Sequence, residues 1–241
     1  IGDAAFFLGI NGKSNESFKL ELDEVYLDCH ADKFDLRLGK QRLSWGTALQ
    51  INPTDVINPV NMEDPLGEKL ALYAVAIDYY LGYNTKINLV WVPIFKPAFR
   101  EVPHPSMPEQ LIILDEVEPV LENSELGVRV SLMGINGWDF SASYFRGRED
   151  FPTPSIEPGM PPQVNASFQK TQMLGLDLAT TIGDAGLWGE GAYFLPEDGQ
   201  GYYQFVLGGD YGFQNGLVLI GQYYHFSGKN SNNNLIFAAE Y

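Results

Sequence analysis

Sulfur chemistry is nearly absent from this chain: one residue of 241 is cysteine, Cys29, which excludes an internal disulfide and any cysteine-based metal centre. Histidine is almost as scarce. His30, His104 and His225 are scattered, with no second ligand beside any of them, so no metal site is expected. Positive charge is also in short supply, with 15 Lys and Arg against 31 Asp and Glu, a net charge of -16 and a pI near 4.4. That balance excludes nucleic acid as a partner, because binding phosphates requires clustered Lys and Arg. Long apolar runs are missing too. The longest, Leu70 to Ile77, is interrupted at Asp78, far short of the roughly 18 apolar residues of a spanning helix. A helical membrane protein is therefore excluded. No basic start followed by an apolar segment appears at Ile1, so an export signal has either been removed or lies outside this sequence, leaving mature protein and fragment as alternatives.

What the chain has in abundance is alternation. Phe34, Leu36 and Leu38 share one parity while Asp35 and Arg37 share the other. Glu125 to Leu132 and Tyr203 to Tyr211 repeat the scheme. Period two means strand, because successive side chains leave the pleat on opposite faces. Helical spacing is sustained nowhere. Twelve segments are predicted: 3–10, 18–29, 34–42, 70–81, 85–92, 124–133, 137–146, 170–182, 186–195, 202–212, 216–227 and 234–241. The second breaks phase, since Phe18, Leu20 and Leu22 match one face and Val25 and Leu27 then match it again. A bulge near Asp23–Glu24 accounts for the slip.

The connections carry more information than the strands. Short ones fall at His30–Lys33, Gly82–Asn84, Gly134–Asn136, Gly183–Ala185 and Phe213–Asn215. Longer or more polar ones fall at 11–17, 43–69, 93–123, 147–169, 196–201 and 228–233. Short and long alternate, which places every long loop at one end. A soluble sandwich has no reason to do this, whereas a barrel of the bacterial outer membrane has short periplasmic turns and long extracellular loops. The expected fold is thus all-β, a single domain over 1–241: an antiparallel transmembrane β-barrel of about 12 strands, within a range of roughly 10–16. A hydrophobic content of 45% fits, because alternating strands average to ordinary hydropathy. Aromatic residues, often in adjacent pairs such as Tyr79 and Tyr80, Phe145 beside Tyr144, or Tyr202 and Tyr203, fall near strand ends, where two interfacial girdles would lie.

A charge facing lipid at the midplane costs about 2–4 kcal/mol for Lys or Arg, so the charged parity must face the interior. Asp35, Arg37, Asp78, Lys86, Glu125, Arg129, Asp139, Asp177, Glu190 and Asp210 are accordingly expected to line a pore. Carboxylates outnumber bases in this set, which favours cations. The alternative is that Asp35, Arg37, Glu125 and Arg129 form a structural network plugging a narrow lumen.

The most distinctive stretch is Arg37-Leu38-Gly39-Lys40-Gln41-Arg42-Leu43-Ser44-Trp45-Gly46, followed by Asn52-Pro53-Thr54-Asp55-Val56-Ile57-Asn58-Pro59. It resembles a group of proteobacterial outer-membrane porin-like proteins with an Arg-x-Gly-x-Gln strand, a Trp-Gly pair and an Asp-Val-x-Asn-Pro turn. Asn123 to Arg129 and Gly208 to Leu217 are similar to further stretches of that group. The resemblance implies an outer-membrane barrel that passes small solutes or ions, in contact with lipid and lipopolysaccharide. It implies no cofactor. Members of the group are usually longer, which implies strands missing at either end. Two readings of 44–66 stand side by side: a constriction folded into the mouth, with Trp45, Asn52, Asp55 and Asn58 as its candidates, or a rigid outer loop whose Asn and Asp side chains bond their own backbone. Loops 93–123, with six prolines and Asp115, Glu116, Glu118 and Glu122, and 147–169, with five prolines and Glu149 and Asp150, read as solvated acidic loops.

No enzyme activity is expected. One constellation, His225 and Ser227 on one face of a strand, faintly resembles the His-x-Ser element of outer-membrane phospholipase A. That family continues Asn-Gly where Gly228-Lys229 stands here. A second alternative is a non-conducting barrel serving as an adhesin or sheathing a partner. A homo-oligomer is left open.

Overall fold

Period-two alternation is realised as fifteen strands among the described residues, which are 3–15, 17–49, 51–61, 68–98, 112–157, 163–228 and 231–240 of a computed structural model. In chain order they are β1 (Asp3–Asn15), β2 (Ser17–His30), β3 (Phe34–Gln41), β4 (Leu72–Tyr80), β5 (Thr85–Val92), β6 (Ile112–Leu114), β7 (Glu125–Ile135), β8 (Trp138–Arg148), β9 (Thr153–Glu157), β10 (Gln163–Ser167), β11 (Lys170–Ile182), β12 (Ala185–Pro196), β13 (Tyr202–Gly212), β14 (Val218–Phe226) and β15 (Asn232–Glu240). Twelve of these form one antiparallel sheet whose spatial order follows the sequence, leaving out β6, β9 and β10. These are the twelve segments expected from the alternation. Both edges, β1 and β15, have a single strand neighbour among the described residues. Most strands run 8 to 14 residues, enough to cross a bilayer on a tilt.

The bulge lies where the phase slip predicts. Gly9 pairs with Glu24 and Ile10 with Leu22, so Asp23 is the extra residue of β2. Its carboxylate then takes Arg42, with Nη1 to Oδ2 at 2.7 Å and Nη2 to Oδ1 at 2.5 Å. Between β7 and β8 the two-residue turn is Asn136-Gly137, with φ of 53° and 83°. Both angles are positive, which is the geometry that favours Asn-Gly in a tight hairpin.

Two expectations are corrected. The segment 11–17 is not a long polar loop: β1 pairs with β2 as far as Asn15 opposite Ser17. Loops 93–123 and 147–169 are not wholly irregular either, because β6, β10 and β9 build a small sheet, with β10 parallel to β6 and antiparallel to β9. Ala166 and Phe168 beside it are buried, and the Phe168 ring lies 5.2 Å from that of Phe95. The acidic residues Asp115, Glu116, Glu118 and Glu122 stay exposed.

Sidedness follows from register. Leu27 pairs with Leu38, Leu38 with Val75, Leu89 with Val128, and Leu174 with Tyr193, so one apolar parity runs across the whole sheet. This face is open: Leu38, Leu126, Leu174, Leu176, Leu207 and Leu219 are all exposed. Exposed aromatics border it at both ends. Phe34, Tyr79, Phe140 and Tyr211 lie toward the short turns, and Tyr73, Trp91, Tyr193 and Tyr203 toward the long loops. The expectation for the aromatic pairs needs refinement. Of each adjacent pair one ring faces outward, while Phe145 and Phe194 are buried on the opposite face.

Candidate functional site

The opposite parity encloses residues 42–61, the connection after β3. Trp45 Nε1 donates to Asn88 Oδ1 on β5 at 2.9 Å. Glu190 on β12 accepts from Thr47 N at 3.0 Å, Ala48 N at 3.1 Å, Thr54 N at 2.6 Å and Thr54 Oγ1 at 2.9 Å. Gln222 on β14 accepts from Leu49 N at 3.0 Å and donates back to Leu49 O at 2.6 Å. These anchors are inward positions of strands far apart in the sheet order, so the sheet wraps around the segment.

Small residues in the wall make room for it. A Cβ on Gly127 of β7 would lie 2.6 Å from the Trp45 ring, and one on Gly175 of β11 would lie 2.7 Å from the Thr54 methyl. Gly46 has φ of 82°, and a Cβ there would meet Asn52 at 2.1 Å and Glu190 at 2.5 Å. The segment holds its own shape as well. Asn52 Nδ2 donates to Trp45 O at 2.9 Å, Asp55 Oδ1 accepts from Trp45 N at 3.1 Å, and Lys69 Nζ pairs with Asp55 Oδ2 at 2.5 Å. Asn58 accepts from Leu43 N at 2.8 Å and donates to Leu70 O at 2.7 Å. The four residues proposed for a constriction therefore converge inside the sheet. Gln41 and Gln222 join them with exposures of 0% and 3%, and no pattern in the sequence singled out Gln222.

The interior divides into two halves. Toward the long loops, Trp45, Ile57, Leu72, Val92, Phe145, Met173 and Phe194 pack into one buried cluster. Toward the short turns the inward positions are charged. Arg37 forms a two-pronged pair with Asp28 at 2.8 and 2.9 Å and stacks over Tyr26. Tyr80 donates to Asp35 at 2.7 Å, Asp78 meets Lys86 at 3.2 Å and Asn88 at 2.6 Å, and Asp210 accepts from Gly186 N at 3.2 Å. Arg129 pairs with Asp177 at 2.8 Å. All ten charged residues expected on the interior occupy inward register positions, but their surroundings differ. Glu125, Asp177 and Glu190 are buried, whereas Asp139 is exposed at the hairpin and accepts from Gly134 N.

Glu149 and Asp150, expected to be solvated, instead turn inward above this interior, where burial pushes the Glu149 carboxyl up and that of Asp150 up to about 7. His225 and Ser227 have separate partners. His225 Nδ1 lies 2.7 Å from Asn233 Oδ1, and Ser227 Oγ accepts from Tyr203 N at 2.8 Å.

No known protein-family profile matches the chain, and no curated protein does. Solved structures do. A porin matches with a TM-score of 0.52 at 14% identity, over 91% of this chain. The outer membrane channel DcaP of Acinetobacter baumannii matches with a TM-score of 0.55 at 10% identity, over 95% of this chain. The fold is that of the porins, an all-β antiparallel barrel architecture. The chain spans 61% and 64% of those two proteins' own lengths.

Proposed function

We propose that the protein is a channel of the bacterial outer membrane that passes small solutes and favours cations, with residues 44–61 as its constriction. One observation carries the reading: the exposed parity of the sheet is an apolar band between two aromatic borders, while the enclosed parity is charged toward the short turns. Hydrocarbon outside and water among the charged positions inside satisfies both sets. The porin fold and the resemblance of the Arg37–Pro59 stretch support it, and lipid and lipopolysaccharide are then its surroundings. Toward the short turns, Asp28, Asp35, Asp78 and Asp210 stand against Arg37 and Lys86. The excess of carboxylate sets a negative potential that concentrates cations.

A second reading is a sealed barrel serving as a structural or partner-sheathing element. The buried cluster around Trp45, Phe145 and Met173 favours it. Planar bilayers separate the two. Unitary current steps, with a reversal potential under a potassium chloride gradient on the cation side, are expected for the channel. Inserted protein that passes no current supports the sealed reading, and an anion-side reversal potential contradicts the charge argument.

A further inference from the structure

The outward face of β8, β11 and β12 carries two hollows in line with each other. One is an apolar groove near the middle of the strands, about 480 Å³ in volume. Its floor is β12, where Gly189 stands between Leu178 and Leu207 and Gly191 between Leu176 and Phe205, so two glycines lie between ridges of large side chains. The other, about 350 Å³, lies at the long-loop end, with Arg146, Lys170, Gln172, Leu195 and Glu197 in its lining. Register aligns the two: Gln172 pairs with Leu195, and Leu176 with Gly191 four residues further along both strands. That separation is about 13 Å at roughly 3.3 Å per residue, inside the depth of one leaflet of hydrocarbon, about 15 Å.

The hollow at the long-loop end is basic. Every Lys or Arg at an outward position of β3, β8 and β11 falls at this end, namely Lys40, Arg146, Arg148 and Lys170. Lys40 Nζ donates to Leu22 O, and Arg148 donates to Phe168 O at 2.5 Å and to Asn123 Oδ1 at 2.6 Å. Among the described residues, Arg146 and Lys170 form no ion pair. Arg146 sits opposite Gln172, which makes Lys170 its diagonal neighbour, and two side chains of this length can reach one phosphate. A single carboxylate lines the hollow with them. It belongs to Glu197, exposed at the rim, whose N donates to Lys170 O at 2.8 Å, so two bases stand against one acid. The rest of the chain is far more acidic, with a net charge of -16, which makes this excess of base local.

We propose that this face binds a phosphate-bearing lipid, its headgroup held by Arg146 and Lys170 and one acyl chain laid along Gly191 and Gly189. The inference rests on the reading that the apolar parity meets lipid. Lys and Arg bind phosphate through charge-assisted hydrogen bonds, Arg in a two-pronged fork. Between the two hollows the Tyr144 hydroxyl donates to Gln172 Oε1 at 2.8 Å, the polar handle of a ring at the boundary between headgroup and hydrocarbon. Free phosphate would leave the groove unused, and a neutral lipid would make no use of the two bases. A second copy docked through the same patch would set bases against bases, because both copies cross the bilayer in one direction.

The test is native mass spectrometry of the full chain, released from neutral detergent, with dioleoyl phosphatidic acid and with dioleoylglycerol as the same lipid lacking phosphate. Phosphatidic acid is expected to bind one per chain, about tenfold or more tighter than dioleoylglycerol, the factor that one charge-assisted contact supplies. R146A/K170A should remove that preference, and E197Q should keep or strengthen it. A Cβ on Gly191 would have its nearest contacts at 3.7 Å, with Gln204 O and Phe205 Cβ, so G191L should fold, fill the groove and weaken phosphatidic acid binding several-fold. Inorganic phosphate at equal concentration should not displace the lipid. Equal retention of the two lipids, undiminished binding by R146A/K170A or by G191L, displacement by inorganic phosphate, or a pair of chains that excludes the lipid would each overturn the inference. The comparison of lipids on the wild type decides the matter even where a variant fails to fold. Flotation with phosphatidylcholine vesicles keeps the questions apart: a chain that inserts but shows no preference for phosphatidic acid loses the site alone, and a chain that does not insert loses the membrane reading with it.

Discussion

Replacing Glu190 with alanine is expected to raise single-channel conductance several-fold, or to open a conductance where the wild type has none. The side chain is 3% exposed and accepts all four of its hydrogen bonds from residues 47, 48 and 54. Buried donors left without an acceptor cost about 1–3 kcal/mol each, so the segment gains several kcal/mol by leaving the lumen and hydrating its backbone. The remaining anchors hold the segment at Trp45 and Leu49, through Asn88 and Gln222, and at Asp55 and Asn58, through Lys69, Gln41 and Leu70, so the parts set free are Thr47, Ala48 and Thr54. Glu190→Gln retains one carbonyl acceptor and should fall between wild type and alanine. Conductance unchanged in E190A would show that residues 44–61 do not set the width of the path.

The second large effect concerns the outer face. Leu176 lies midway along β11, 67% exposed, and Leu195 lies one residue before the end of β12. Arginine at the midplane of a bilayer costs about 2–4 kcal/mol, falling to about 0–1 kcal/mol near the interface. Leu176→Arg should therefore destabilise the inserted protein by the larger amount and Leu195→Arg by the smaller, measured by reversible denaturation in lipid vesicles. Equal small costs at both positions would place Leu176 in water.

These effects were legible in the sequence to different depths. Strand number and sidedness are local properties, carried by alternation within each segment, and so is the slip at Asp23. The far end of the β1–β2 hairpin was not legible: Asn11, Gly12, Lys13, Ser14 and Asn15 have the composition of a loop, and pairing with the partner strand overrides their weak propensity. Nor was the small sheet, in which Pro154 occupies an edge strand where no amide is required. For the inserted segment, the turn-forming Asn52, Asp55 and Asn58 were visible, but their destination was not. Thr54 is 136 residues from Glu190, and Leu49 is 173 from Gln222. Composition does not encode such pairings. Glu149 and Asp150 looked solvated for the same reason, since only the return of the chain over the wall encloses them.

A channel of this kind has water inside and hydrocarbon outside one sheet, and β11 tests this residue by residue. With Cys29 replaced by serine, single nitroxide labels at positions 173 to 178 are compared in lipid vesicles for collision with oxygen, which concentrates in hydrocarbon, and with an aqueous nickel chelate. Labels replacing Leu174, Leu176 and Leu178 should meet oxygen and exclude nickel, while those at Met173, Gly175 and Asp177 should not meet oxygen in this way. Nickel reaching the three leucine positions, or no alternation along the strand, would contradict it.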